Sequence, residues 1–260
     1  MIPIINLDKS KIQNLKYILC DIDDTITTGG KLTAESYIAM WELYKNGFSV
    51  IPVTGRPAGW CDMIIREWPV KAVVGENGAF VYYNQNSHIK TLTHPSVAGP
   101  DIREKLEKVK QACLEGVKGC RVARDQFARI YDLAIDFNED PPYLGLEAAE
   151  KIKDICVSLG AEAKISSIHV NTWFGNYNKL EMSKMFFDTI LNEKDIKDTC
   201  IFFGDSPNDE PMFEYFPLSC AVANILPFVD SLKHLPSYVT ENKGASGFAE
   251  AVKHILSINR

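Results

Sequence analysis

"YILCDIDDTIT", residues 17–27, decides how this chain is read. Its first four residues show no polar alternation, and three aspartates, Asp21, Asp23 and Asp24, follow within four positions. A strand that is apolar on both faces belongs in a parallel sheet covered on both sides. Charge just past its carboxyl end then falls where open parallel sheets bind their ligands. The flanking segments agree: "TAESYIAMWELYKNG" (33–47) and "GWCDMIIREW" (59–68) have helical periodicity, while "FSVIPVT" (48–54) and "VKAVVG" (70–75) are compact apolar runs. Strand, helix, strand, helix, strand is the order of parallel βαβ units.

The same order returns near the end, with "KLEMSKMFFDTILNE" (179–193) as a helix, "CIFFGD" (200–205) as a strand, "DEPMFEYF" (209–216) as a helix start and "SCAVAN" (219–224) as a strand. In between the character changes. "GPDIREKLEKVKQACLEGV" (99–117) and "GLEAAEKIKDICVSLG" (145–160) are polar-faced helices, whereas "CRVAR" (120–124), "IYDLAIDF" (130–137) and "SIHVNTWF" (167–174) alternate as half-buried strands do. The expected fold class is therefore α/β. A Rossmann-like parallel sheet core, residues 1–83 and 174–260, is interrupted by an inserted α+β domain at 84–173.

Composition narrows the partners. Across 260 residues, 28 Lys+Arg stand against 34 Asp+Glu for a net charge of −6, which offers no general attraction for nucleic acid or an anionic membrane. A small-molecule partner fits better, and no oligomeric state is implied. Seven scattered cysteines, odd in number and never in a CxxC pair, argue against a disulfide framework or a zinc site and for a reducing, cytoplasmic setting. No run approaches the roughly 20 apolar residues needed to span a bilayer.

The residues just beyond the strands carry the chemistry: Asp21, Asp23, Asp24 and Thr25, then Thr54, Gly55 and Arg56, then Gly204, Asp205, Ser206, Asn208 and Asp209, with Lys179 ahead of a helix. If "YILC" and "CIFF" are neighbours, Asp21, Asp23, Asp205 and Asp209 converge. Two carboxylates about 4 Å apart repel by roughly 4 kcal/mol at an effective dielectric near 20, so the cluster calls for a cation or raised pKa values. Oxygen ligands without His or Cys favour a hard ion such as Mg²⁺, which completes its shell with phosphate oxygens. Taken singly, Asp205 or Asp209 reads better as turn chemistry, with Ser206 as a helix cap and Pro207 at the first position.

In that order, "DIDDT" (21–25), the Thr of "VTGRP" (53–57), the Lys of "NKLEM" (178–182) and "GDSPND" (204–209) resemble the four motifs of the haloacid dehalogenase (HAD) superfamily. The insert resembles that superfamily's type IIB, or Cof-type, cap, and "GENGAF" (75–80) resembles a segment common in the subgroup. The resemblance implies a phosphatase with Asp21 as the nucleophile that forms an aspartyl phosphate and also binds Mg²⁺. Asp23 would give its carbonyl to the metal and its side chain as general acid and base. Thr54 and Lys179 would hold the phosphoryl oxygens, and Asp205 would ligate Mg²⁺, with Asp209 beside or behind it. Gly55, Arg56 and Asn208, on the same turns, are further candidates for substrate contact.

Two positions depart from the pattern. Asp24 stands where Gly is usual, and Asn178-Lys179-Leu180 replaces the frequent Asp-Lys-Gly, with Lys184 as a fallback for Lys179. In the insert, alternation places His169, Asn171 and Trp173 on one face and Ile168, Val170 and Thr172 on the other. The first set suits a sugar ring, with Trp173 stacking and Asn171 binding hydroxyls, or is simply a solvated face. The subgroup's sugar phosphatases and phosphomannomutases point toward a phosphosugar. A phosphomutase and a non-catalytic phospho-ligand-binding protein are the alternatives to a Mg²⁺-dependent sugar phosphatase.

Overall fold

A computed structural model of the chain describes residues 1–97, 99, 101–166 and 168–259. Pro100 of an expected helix and Ser167 of an expected strand lie outside the described residues. In chain order the first half holds β1 (Ile2–Pro3), β2 (Tyr17–Cys20), β3 (Thr27–Thr28), β4 (Lys31–Leu32), α1 (Ala34–Lys45), β5 (Ser49–Pro52), α2 (Ala58–Glu67), β6 (Ala72–Gly75), β7 (Phe80–Gln85) and β8 (His88–Thr93). There follow α3 (Ile102–Gly116), β9 (Arg121–Val122), β10 (Asp132–Asp136), α4 (Gly145–Ser158), β11 (Glu162–Ile165) and β12 (His169–Trp173). The chain closes with α5 (Lys179–Phe186), β13 (Cys200–Gly204), α6 (Glu210–Tyr215), β14 (Ser219–Ala221), β15 (Tyr238–Val239) and α7 (Gly244–Ile258).

Six strands form a parallel sheet in the order β1-β15-β14-β13-β2-β5. The apolar run at β2 now has its reason. Ile18 and Cys20 point into a cluster with Met40 and Leu43 of α1, Ile64 of α2 and Phe248 of α7. Leu19 points the other way, among Met182 and Phe186 of α5 and Met212 of α6. Strands covered by helices on both faces have no use for a polar side.

The third apolar run behaves differently from a plain βαβ continuation. β6 meets the parallel sheet through a single bridge, Val53 to Val74, and then pairs antiparallel with β7, which pairs with β8. The cause is the reversal at Glu76-Asn77-Gly78, where all three residues have positive φ, so no helical crossover follows β6. The expected boundary at 83/84 falls inside β7, and Val81, Tyr83 and Leu92 of this hairpin pack with the cluster under the parallel sheet.

The antiparallel sheet β11-β12-β10-β9 carries α3 and α4 on one face, where Leu133, Ile135 and Val170 meet Val109, Cys113, Ile152 and Cys156. Cross-strand partners share a face. The registers Asp132–Trp173, Ala134–Asn171, Lys164–Asn171 and Glu162–Trp173 therefore gather the other side chains on the face turned to the parallel-sheet core, where Trp173 packs. Among the described residues no helix is long and apolar enough to cross a membrane.

Candidate active site

β2 lies between β13 and β5, so the turns following all three strands meet at one edge. The Asp21 N–H donates to the Phe203 carbonyl at 2.9 Å, continuing the ladder past both strands and setting Asp21 and Asp205 side by side. On the other flank the Val53 N–H donates to Cys20 at 2.8 Å, which brings Thr54 alongside. Asp21, Asp205 and Asp209 each place a carboxylate oxygen within 4.8 Å of the others.

Lys179, the first residue of α5, enters this cluster. Its ammonium donates to Asp21 Oδ1 at 2.8 Å and to Asp209 Oδ1 at 3.0 Å. Two local features put it there. Asn178 caps α5 by accepting the Glu181 N–H, and at Gly78 an added Cβ would collide with the Asn178 carbonyl, so glycine lets the helix start approach the β6 turn. Burial opposes the charge on Lys179, but Asp209 and Asp21 outweigh it and hold the ammonium well above the ordinary lysine range.

Asp209 is fully buried, and its second oxygen accepts the Asp205 N–H at 3.1 Å. Both of its oxygens are thus engaged by the protein, which suits a residue that braces Lys179 and the Asp205 backbone more than a direct ligand. Asp21 and Asp205 each keep Oδ2 without a hydrogen bond from the described residues, while Asp205 Oδ1 accepts from Thr25. Burial, with the charges of Asp209 and Asp23 adding, lifts Asp21 to about 7 against the pull of Lys179. Burial, then Asp209 and Asp21, lifts Asp205 to about 9. Paired carboxylates raised this far hold their charge at neutral pH when a cation sits between them. An all-oxygen donor set fits a hard divalent ion.

The other expected residues divide. Asp23 is half-exposed and stands apart from the cluster, gripped by Arg56 through Nη2 at 2.7 Å and Nε at 3.2 Å; Arg56 in turn lies 5.3 Å over the Trp60 ring. Thr54 is fully buried, and its hydroxyl accepts the Arg56 N–H; Gly55 and Arg56 line the cleft in its place. Asn208 and Asn171 line the same cleft, of about 640 Å³, between the core turns and the insert's polar face. Trp173 does not. It is 2% exposed and stacks on Tyr177 with centroids 5.6 Å apart, so its ring face is already covered. His169, on that polar face, pairs with Glu139 at 2.8 Å in the cleft. Lys184 pairs with Glu181, remote from the cluster, and leaves Lys179 unchallenged.

Three further residues, two of them inside "GENGAF", complete the site. Glu76 is buried and accepts four backbone N–H groups, from Ala58 and Ile130 on Oε1 and from Tyr131 and Asp132 on Oε2. Arg129, 3% exposed at its side chain, donates to both oxygens of Asp132 and to the Gly55 carbonyl at 3.0 Å. These bonds fasten the insert to the β6 turn and the Thr54 turn. Asn77 lines the cleft beside Gly55. An Asn-Gly pair signals a turn, yet only the folded chain shows what its side chain faces.

A family model described as haloacid dehalogenase-like hydrolase matches residues 18–118 and 147–252. No curated protein sequence matches the chain. Among solved structures, one from Thermoplasma acidophilum has a TM-score of 0.73 at 17% identity, covering 93% of this chain and 98% of its own. The C-terminal domain of C. albicans trehalose-6-phosphate phosphatase has a TM-score of 0.72 at 16% identity, covering 98% and 96%. The sucrose-phosphatase of a Synechocystis species, solved with sucrose and phosphate, has a TM-score of 0.63 at 16% identity, covering 94% and 98%.

Proposed function

The chain belongs to the haloacid dehalogenase-like hydrolases, and from that premise we propose that it is a Mg²⁺-dependent phosphatase acting on a small phosphate monoester, with a sugar as the leaving group. The observation that carries the reading is the contact of Lys179 with Asp21 at 2.8 Å, beside Asp205, at the carboxyl edge of a parallel sheet. A nucleophile, a cation for phosphoryl oxygens and a carboxylate pair for a metal are what phosphoryl transfer to a side chain requires.

The free Oδ2 of Asp21 attacks phosphorus, and the bond from phosphorus to the alcohol oxygen breaks. Asp23, once it has left Arg56 and taken a proton from solvent, gives that proton to the alcohol oxygen, then takes a proton from the water that attacks the aspartyl phosphate and releases orthophosphate. Lys179 offsets charge on the phosphoryl oxygens, and Thr54 holds the turn that brings Gly55 and Arg56 to the cleft wall. Asp21 and Asp205 are the side chains that would hold Mg²⁺, with the Asp23 carbonyl; the ion supplies charge neutralisation at the phosphoryl group.

The sugar reading rests on the cleft, whose volume suits a small ligand and whose roof offers Asn171 and the His169–Glu139 pair to hydroxyl groups. Resemblance of the fold to sugar phosphatases supports it. The test is phosphate release from a panel of sugar, nucleotide and aryl phosphates, with Mg²⁺ and with EDTA. Magnesium-dependent release led by sugar phosphates is expected. No release from any member sinks the phosphatase reading, and an isomerised sugar phosphate as product would replace it with a mutase.

A further inference from the structure

Behind Lys179, where the polar face of the insert meets the core, lies a second cavity of about 20 Å³. It has room for one oxygen-sized group. Two lysines and three asparagines make its polar wall: Lys164 from β11, Lys179, Asn77, Asn178 and Asn208. Most of these are already engaged. Lys179 is held by Asp21 and Asp209, Asn178 caps α5, and Asn208 accepts from Ser206.

Lys164 makes no hydrogen bond or ion pair with the described residues, and burial, then the charge of Lys179, pushes it below the ordinary lysine range against the weaker pull of Asp209 and Glu162. Asn77, only 8% exposed, has its Nδ2 without a partner. Trp173, which also lines the cavity, has its Nε1 without one. Among the residues lining this cavity the buried unpartnered atoms are the N–H donors of Asn77 and Trp173, left at the usual cost of unpaired polar groups; Asn171, opposite Lys164 on β12, has an unpartnered Oδ1 but lines the cleft and not this cavity. An oxyanion oxygen accepts from several donors at once and offsets the lysine charge as well. Lys179, Asn77 and Asn208 line both this cavity and the cleft that holds Asp21, so an oxygen lodged here can belong to a group seated in the cleft.

We propose that Lys164 is an oxyanion-binding residue supplied by the insert, which reaches an oxygen of the phosphoryl group seated against Asp21 and Lys179. The proposal rests on the phosphatase reading for the identity of that anion.

Orthophosphate binding to the full chain in Mg²⁺, measured by calorimetry, tests this with Lys164→Met and Lys164→Arg. The Met variant should bind orthophosphate about tenfold more weakly, and the Arg variant within about threefold of wild type. In turnover, Lys164→Met should lower kcat/KM about tenfold, and Lys164→Arg should restore most of it. Without phosphate the Met variant should melt no lower than wild type, because an unpaired, partly buried charge has gone, a pattern that loss of a structural residue would not produce. Lys164→Gln substitutes if the Met variant does not fold. If wild type hydrolyses phosphate monoesters and binds orthophosphate while Lys164→Met does both equally well, the inference falls and the phosphatase reading stands. A wild-type protein that neither hydrolyses nor binds removes both.

Discussion

Asp21 and Asp209 show how one residue type takes different work from its surroundings. Asp21 keeps one oxygen free, whereas Asp209 has both taken by Lys179 and the Asp205 N–H. Replacing Asp21 with Asn keeps the shape and removes the proposed nucleophile, so turnover of p-nitrophenyl phosphate should drop on the order of 10⁴-fold or more, with an unchanged circular dichroism spectrum. A fully active Asp21→Asn protein would falsify the nucleophile assignment. Asp209→Ala acts on the fold as well as on the site. It strips a buried ammonium of one partner and leaves the Asp205 N–H unpaired, a change that typically costs about 3–5 kcal/mol, read as a lower urea midpoint. A midpoint equal to wild type would mean that Asp209 does not brace the site.

Among the elements, α5 and the β6 turn matter most, because each delivers one residue to the site. The Asn178 cap holds the start of α5, where Lys179 sits. Asn178→Ala should lower stability by about 1 kcal/mol, as lost caps do, and reduce kcat as well because the helix start carries Lys179; lost stability with unchanged kcat would separate the cap from the site. The β6 turn delivers Glu76. Burial lifts its carboxyl to about 7 from 4.5, with the charge of Asp132 adding and the N–H donors opposing. Between those values the folded chain holds a proton that the unfolded chain has released. The contribution of Glu76 is therefore full below pH 4.5 and declines as pH rises to about 7. Urea midpoints of wild type and Glu76→Gln should diverge across that window, with wild type losing ground as pH rises, and run parallel above it. Parallel curves throughout would rule out the raised Glu76.

At the scale of the whole molecule, the proposed metal and the junction with the insert bear on the site. If Asp21 and Asp205 take Mg²⁺, the ion stabilises the folded chain by about 2.7 kcal/mol at a hundredfold excess over Kd. Thermal melts should show that gain in wild type and its loss in Asp205→Ala; equal gains in both would move the ion elsewhere. Much of this molecule was legible in the chain itself. The parallel core follows from unalternating runs such as "YILC", which stay apolar because both faces are covered. Asp21, Asp205 and Lys179 were visible because each stands at a strand end or helix start, where a local pattern marks it. Tertiary structure alone decided the rest. Chain reversal after β6 depends on three residues with positive φ, and Trp173 gave its ring to Tyr177 instead of to the cleft. Glu76 lies in "GENGAF", but nothing local shows that its carboxylate meets the backbone of 130–132, and Arg129 and Lys164 carry no motif; the bonds of Glu76 to Ile130 and of Arg129 to Gly55 join segments more than fifty residues apart. Sequence determined which side chains could do the chemistry, since secondary structure and its termini are set by near neighbours. Only the packing of the insert's polar face on the core decided which of them meet, since burial and charge pairing between distant segments exist only once the chain has closed on itself.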